Sequence, residues 1–120
     1  MCNFVGEQGQ QGGDLASYVH PRSLDEALLC LRAEDVTVLA GGTDFYPSMV
    51  DRAVYQNILD TTSLDDAGGI SSDGKMWRLG GSTTWTDVIK ADLPTAFDGL
   101  KQSARQIGSV QIQNVATLAG

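Results

Sequence analysis

The sequence predicts an α+β fold, in which a small parallel β-α-β-α-β lobe precedes the incomplete beginning of an antiparallel lobe. Three observations carry this. Strand, helix, strand, helix and strand patterns alternate within about 45 residues, the rhythm of parallel units joined by right-handed crossovers. At residues 69–80 the rhythm changes to two short extended runs around an Asp73-Gly74 turn, the mark of an antiparallel hairpin. The length of 120 residues and a hydrophobic fraction of 42% suit one compact unit, or part of one.

The elements follow in order. Residues 1–14 are polar, rich in Gly and Gln, and read as a flexible lead-in. A first lobe is expected over residues 15–62 and the start of a second, truncated one over residues 63–120. Residues 15–19 suggest a short strand that Pro21 separates from a helix. Ser23 is a good N-cap with Glu26 three positions on, and Leu24, Ala27, Leu28 and Leu31 follow at the spacing of a buried helix face. Residues 36–40 (VTVLA) read as a strand buried on both faces. Gly41 and Gly42 end it, and a short helix should start near Thr43 or Asp44, with Asp44 as cap and Pro47 in the first turn. Residues 56–60 supply the third strand, and residues 60–69 a linker or long turn. A helix capped by Thr84 with Asp87 buries Trp85, Val88 and Ile89 until Pro94 stops it. The last predicted helix begins at Thr95, with Phe97, Leu100, Ala104 and Ile107 on one face despite Gly99.

Composition excludes several functions. Fifteen acidic residues against eight Lys and Arg give a net charge of −7, and the bases are scattered, so nucleic acid is not an expected partner. No apolar run approaches the roughly 18 to 20 residues that span a bilayer. The N-terminal residues lack the basic-then-apolar layout of a secretory signal. Cys2 and Cys30 are the only cysteines, too few for a disulfide framework or a CxxC metal site. A cytoplasmic chain without its own iron-sulfur cluster is the expectation. The sole histidine, His20, precedes Pro21 and reads as a surface or packing residue; no Ser-His-Asp or Cys-His set can be assembled around it. Trp77 and Trp85 read as core, and Glu34-Asp35 and Asp65-Asp66 as solvated turns.

The residues that could carry chemistry are Gly41-Gly42-Thr43-Asp44. They sit beyond the carboxyl end of a strand and at a helix start, where ligands bind in open parallel sheets. Adjacent glycines permit positive φ and close approach of an anion, free N–H groups point outward, and Thr43 adds a hydroxyl. A helix end offers only about 0.3 to 1 kcal/mol through its dipole, so holding a diphosphate must rest on several N–H bonds, at about 1.5 to 3 kcal/mol for each charge-assisted one. Local physics leaves a second reading open, that Gly-Gly only makes a tight turn and Thr43 or Asp44 only caps it. The motif is neither GxGxxG nor a P-loop.

Four segments in order, YVHPRSLDEAL, AGGTDFYPSM, RLGGSTTWTDV and ARQIGSVQIQNVATLAG, resemble the FAD-binding domain of molybdopterin-dependent hydroxylases, the family of xanthine dehydrogenase and the medium subunit of aerobic carbon monoxide dehydrogenase. The resemblance spans residues 18–120 and implies the FAD-binding fold of the vanillyl-alcohol oxidase and molybdenum hydroxylase type. It also implies FAD as cofactor, its pyrophosphate wrapped by Leu39, Ala40, Gly41, Gly42, Thr43, Asp44 and Phe45. Ile107, Gly108, Thr117 and Gly120 match further flavin-lining positions, and Ala119 stands where many relatives have glycine.

The implied function is an electron relay. Substrate is oxidised at molybdopterin in a large partner subunit, electrons cross iron-sulfur clusters in a small one, and the flavin passes them to an acceptor. Because residue 120 falls inside the second motif, the chain is expected to be a fragment that alone is inactive and binds flavin weakly or not at all. The rival class is a cofactor-free interaction or scaffold module derived from the same fold.

Overall fold

The computed structural model describes residues 17–33, 35–50 and 56–120. Three parallel strands form the first sheet: β1 (Tyr18–Val19), β2 (Val36–Leu39) and β3 (Asn57–Asp60), in the order β1-β3-β2. Tyr18 pairs with Ile58 and Val19 with Leu59 on one side of β3, while residues 36–39 pair with residues 57–60 on the other. The predicted β-α-β-α-β order is therefore present, with helices α1 (Leu24–Ala33) and α2 (Phe45–Ser48) between the strands. Residues 15 and 16 of the predicted first strand lie outside the described residues.

The strand order overturns one expectation. The run in residues 36–40 was expected to be buried on both faces, but the chain places β3, not β2, at the centre. Ile58 is 0% and Leu59 1% exposed. On the edge, β2 leaves Val38 53% exposed and buries Leu39. The β-branched run was correctly read as a strand, but position in the sheet, not composition, decides how many neighbours cover it.

Helix α1 corrects a second expectation. Ser23 caps it as foreseen, its Oγ accepting from the Glu26 N–H at 3.2 Å, while the Glu26 carboxylate accepts instead from the Arg22 N–H at 3.0 Å. The buried face, however, is Ala27 and Cys30, which cluster with Val19 and Leu59, with Val36 and Leu64 packed alongside. Leu24, Leu28 and Leu31 are exposed. The reason is steric: the small residues let the helix axis approach the sheet closely, and the larger leucines are left on the flanks.

The second lobe begins with a hairpin of β4 (Ile70–Ser72) and β5 (Trp77–Leu79), paired antiparallel as the sequence indicated. Trp77, expected in the core, lies at its edge, with a T-shaped contact to Phe97 at 6.0 Å. Helix α3 (Trp85–Lys90) follows, then a 3-10 turn (Thr95–Phe97) running into α4 (Asp98–Arg105). Val88 and Ala104 are fully buried between them. Unpredicted is α5 (Val110–Gln113), a single turn capped by Ser109, whose Oγ accepts from the Ile112 N–H. Four residues are too few for periodicity to reveal. Buried Gln113 holds its entry by donating from Nε2 to the carbonyls of Arg105 and Ile107.

Two local devices can be tested. Thr84 and Asp87 form a complete capping box, with Thr84 Oγ1 accepting from the Asp87 N–H at 3.1 Å and Asp87 Oδ2 accepting from the Thr84 N–H at 3.2 Å. Thr84→Ala should cost about 1 kcal/mol, a fall of roughly 3 to 6 °C in Tm for a chain of this size, read by thermal unfolding. In the hairpin turn, Asp73 Oδ1 accepts from the Met76 and Lys75 N–H groups, both at 2.8 Å. These bonds, Met76 first, hold its carboxyl below the ordinary value of 3.8. Folded-state lowering means that the stabilisation is complete above that value and is lost as pH falls through the lower folded one. The Lys75 and Met76 amide shifts should therefore titrate below pH 3.8, and Asp73→Asn should abolish that titration in an NMR series.

Candidate functional site

The site is built where the ends of the two lobes are stitched together. Beyond β2 the chain turns through Gly41 and Gly42 into α2, and Gly42 has φ +66°, a left-handed conformation that glycine adopts without steric penalty. Asp44 occupies the predicted cap position, but its side chain makes no capping bond. Helix α2 is one turn long, so its dipole is small, and any anion held here depends on individual N–H groups. Among the described residues, none accepts from the backbone N–H groups of Gly42, Thr43, Asp44 or Phe45.

The last residues of the chain lie directly against this loop. The Ala40 N–H donates to the Gly120 carbonyl at 2.9 Å, and the Gly41 N–H donates to Thr117 Oγ1 at 3.3 Å across 76 positions. A Cβ on Gly41 would fall 2.5 Å from the Val115 carbonyl oxygen and 3.0 Å from Ala116 Cα and Thr117 N. No side chain fits between two backbones that close. Thr117 is buried at 6% exposure, its hydroxyl occupied by Gly41.

The third motif completes the junction. An antiparallel bridge joins Thr84 to Thr117, flanked by bonds from Leu118 N–H to the Thr83 carbonyl, Trp85 N–H to the Ala116 carbonyl and Ala119 N–H to the Gly81 carbonyl. Ala119 is accommodated because its methyl faces Gly81, where a second Cβ would lie only 3.1 Å away. Leu39 is tied in from the other side, its carbonyl accepting from both the N–H and the hydroxyl of Thr61 at 2.8 and 3.1 Å. Ser82 Oγ donates to the Thr61 carbonyl at 3.2 Å.

Of the candidate residues, the structure thus brings together Leu39, Ala40, Gly41, Gly42, Thr43, Asp44, Phe45, Thr117 and Gly120. Ile107 and Gly108 join only through α5: a Cβ on Gly108 (φ +49°) would meet Ile112, and the segment after α5 reaches Gly41. The sequence reading missed Thr61 and Ser82, ordinary turn residues whose part is visible only once the lobes meet. His20 is half-exposed with Nδ1 3.4 Å from Asp60 Oδ2, beside the loop rather than in it. Among the described residues no cluster of metal-ligating side chains occurs, and no helix is long and apolar enough to cross a membrane.

Over residues 11–120 the chain matches the family described as the FAD binding domain in molybdopterin dehydrogenase. The chain belongs to this family. Its fold is that of carbon monoxide dehydrogenase chains from Oligotropha carboxidovorans (TM-score 0.75, 28% identity) and from Hydrogenophaga pseudoflava (TM-score 0.76, 27% identity). A chain of quinoline 2-oxidoreductase from Pseudomonas putida 86 shares the fold at TM-score 0.76 and 24% identity. In each comparison the match covers 92% of this chain and 40% of the other, so the chain spans about two fifths of the length of these solved structures. No curated protein sequence matches it. FAD is the family's cofactor, and the residues present fit it: consecutive N–H donors without an acceptor and a left-handed glycine in one loop suit a diphosphate.

Gly41→Ala tests the junction. With backbone on the opposing side, the added methyl can be relieved only by separating the loop from residues 115–117. A loss of about 1 to 3 kcal/mol is expected, measured by chemical denaturation.

Proposed function

We propose that this chain is the FAD-binding part of a molybdenum hydroxylase-type oxidoreductase, holding the cofactor's diphosphate on residues 39–45, with Thr117 and Gly120 bracing the loop and Ile107 and Gly108 near the flavin. In this reading a large subunit carries molybdopterin and a small one the iron-sulfur clusters, in a cytoplasmic complex. When bound, the flavin supplies the redox chemistry, receiving electrons from those centres and passing them to an acceptor. The chain's own residues bind and orient it.

The observation that carries the proposal is the seam between Gly41 and Thr117. A Gly-Gly turn serving only as a tight connection has no need of a second segment pressed against its backbone. Here two segments far apart in sequence meet beside a row of N–H groups, those of residues 42–45, for which no acceptor occurs among the described residues. Charge-assisted bonds to a diphosphate would use those donors, each at about 1.5 to 3 kcal/mol, enough in combination for cofactor affinity in an acidic chain.

Gly42→Asp in the complete subunit tests this. The new carboxylate would repel the diphosphate, so flavin content should fall at least about tenfold, the equivalent of 1.4 kcal/mol. Gly42→Ala is the control, since it imposes the same backbone strain of about 1 to 2 kcal/mol without the charge, and should lose less flavin. Undiminished flavin absorbance in purified Gly42→Asp would refute the role of this loop.

A further inference from the structure

One side chain at the loop has no part in the reading above. The Tyr46 N–H donates to the Gly42 carbonyl at 3.1 Å, closing a turn around Gly42, and its ring lies against that same residue. A Cβ on Gly42 would fall 2.6 Å from Tyr46 Cε2 and 2.8 Å from Cδ2, with Leu39 Cδ2 at 3.4 Å. The Phe45 ring meets Tyr46 edge-on at 5.4 Å. In the register of the sheet, Tyr18, Ile58 and Thr37 share one row, so Tyr18 points to the face opposite α1, as do Leu39 and Asp60 two residues further along their strands. Tyr46 lies over that face at its carboxyl end. Burial raises the pKa of its hydroxyl, with the neighbouring Tyr18 and Asp60 adding to the effect.

The loop is therefore gripped from two directions. Thr117 and Gly120 hold the Ala40 and Gly41 side, and Tyr46 holds the Gly42 side. The unused N–H groups of residues 42–45 lie between the two grips. We propose that Tyr46 is a positioning residue for the cofactor, its ring wedged against Gly42 so that the loop keeps its diphosphate-binding shape before FAD arrives. This rests on the flavin reading above. Tyr46 is 47% exposed, so removing its ring opens no large core cavity. Its loss should be felt in binding, through a loop that must now be ordered by the ligand, more than in stability.

The experiment uses the complete subunit, with FAD and ADP as separate probes. Tyr46→Ala should weaken both by at least about tenfold through lost preorganisation, while Tyr46→Phe, which keeps the ring and loses only the hydroxyl, stays within about threefold. Hydrogen exchange in the unliganded protein should quicken at the amides of residues 46 and 48, which donate to the Gly42 and Asp44 carbonyls, and stay slow at Ile58 and Leu59. Three results would overturn the inference and leave the flavin reading standing: Tyr46→Ala binding both probes like wild type, FAD weakening while ADP does not, or Tyr46→Phe losing as much as Tyr46→Ala. Failure of Tyr46→Ala to fold would mark the residue as structural and also overturn it. A wild-type subunit that binds neither probe defeats both proposals together.

Discussion

Everything at this site depends on one steric constraint, the contact of the Gly41 backbone with the backbone of residues 115–117. Close packing of two main chains is possible only where neither carries a Cβ at the interface, and the geometry leaves no room for one at Gly41. The hydrogen bonds from Ala40 to Gly120 and from Gly41 to Thr117 then follow from proximity. Each contributes about 0.5 to 1.5 kcal/mol net, so direction matters more here than strength. They satisfy the donors just before the turn and leave those just after it unused.

The same constraint explains why the lobes are joined through polar turn residues. Thr61 caps the end of β2 by donating twice to the Leu39 carbonyl, and Ser82 reaches back to Thr61. Thr83, 1% exposed, donates its hydroxyl to the Gly69 carbonyl. Buried hydroxyls with partners are tolerated where an apolar side chain would leave backbone carbonyls unsatisfied. The seam is thus held by directional bonds over a small area, while the apolar clusters lie to either side of it, around α1 and between α3 and α4. Such an arrangement fixes relative position at the loop without filling the surface on which a cofactor would lie.

Much of the fold was legible in the sequence because its signals are local. Ser23 and Thr84 announce helix starts through hydrogen bonds that span three residues, the Asp73-Gly74 turn announces a hairpin, and the VTVL run announces a strand. The motif order revealed the family, since each motif marks a backbone need that recurs wherever the fold does. Less legible were the face of α1, where Ala27 and Cys30 displaced the leucines from the core, the short α5, and the linking roles of Thr61 and Ser82. In each case the deciding partner is far away in the chain, and spacing within a segment carries no information about it.

The sequence by itself thus determined the kinds of elements, their order and the Gly-Gly turn between β2 and α2, because these follow from caps, turns and glycine freedom over a few residues. Only the tertiary structure decided that β3 stands at the centre and β2 at the edge, since strand order is set by long-range pairing. Only it placed Thr117 and Gly120 on Gly41 and Ala40, and Tyr46 on Gly42. The contacts of Thr117 and Gly120 need the second lobe to fold back on the first, and steric exclusion at one missing Cβ selects where it docks.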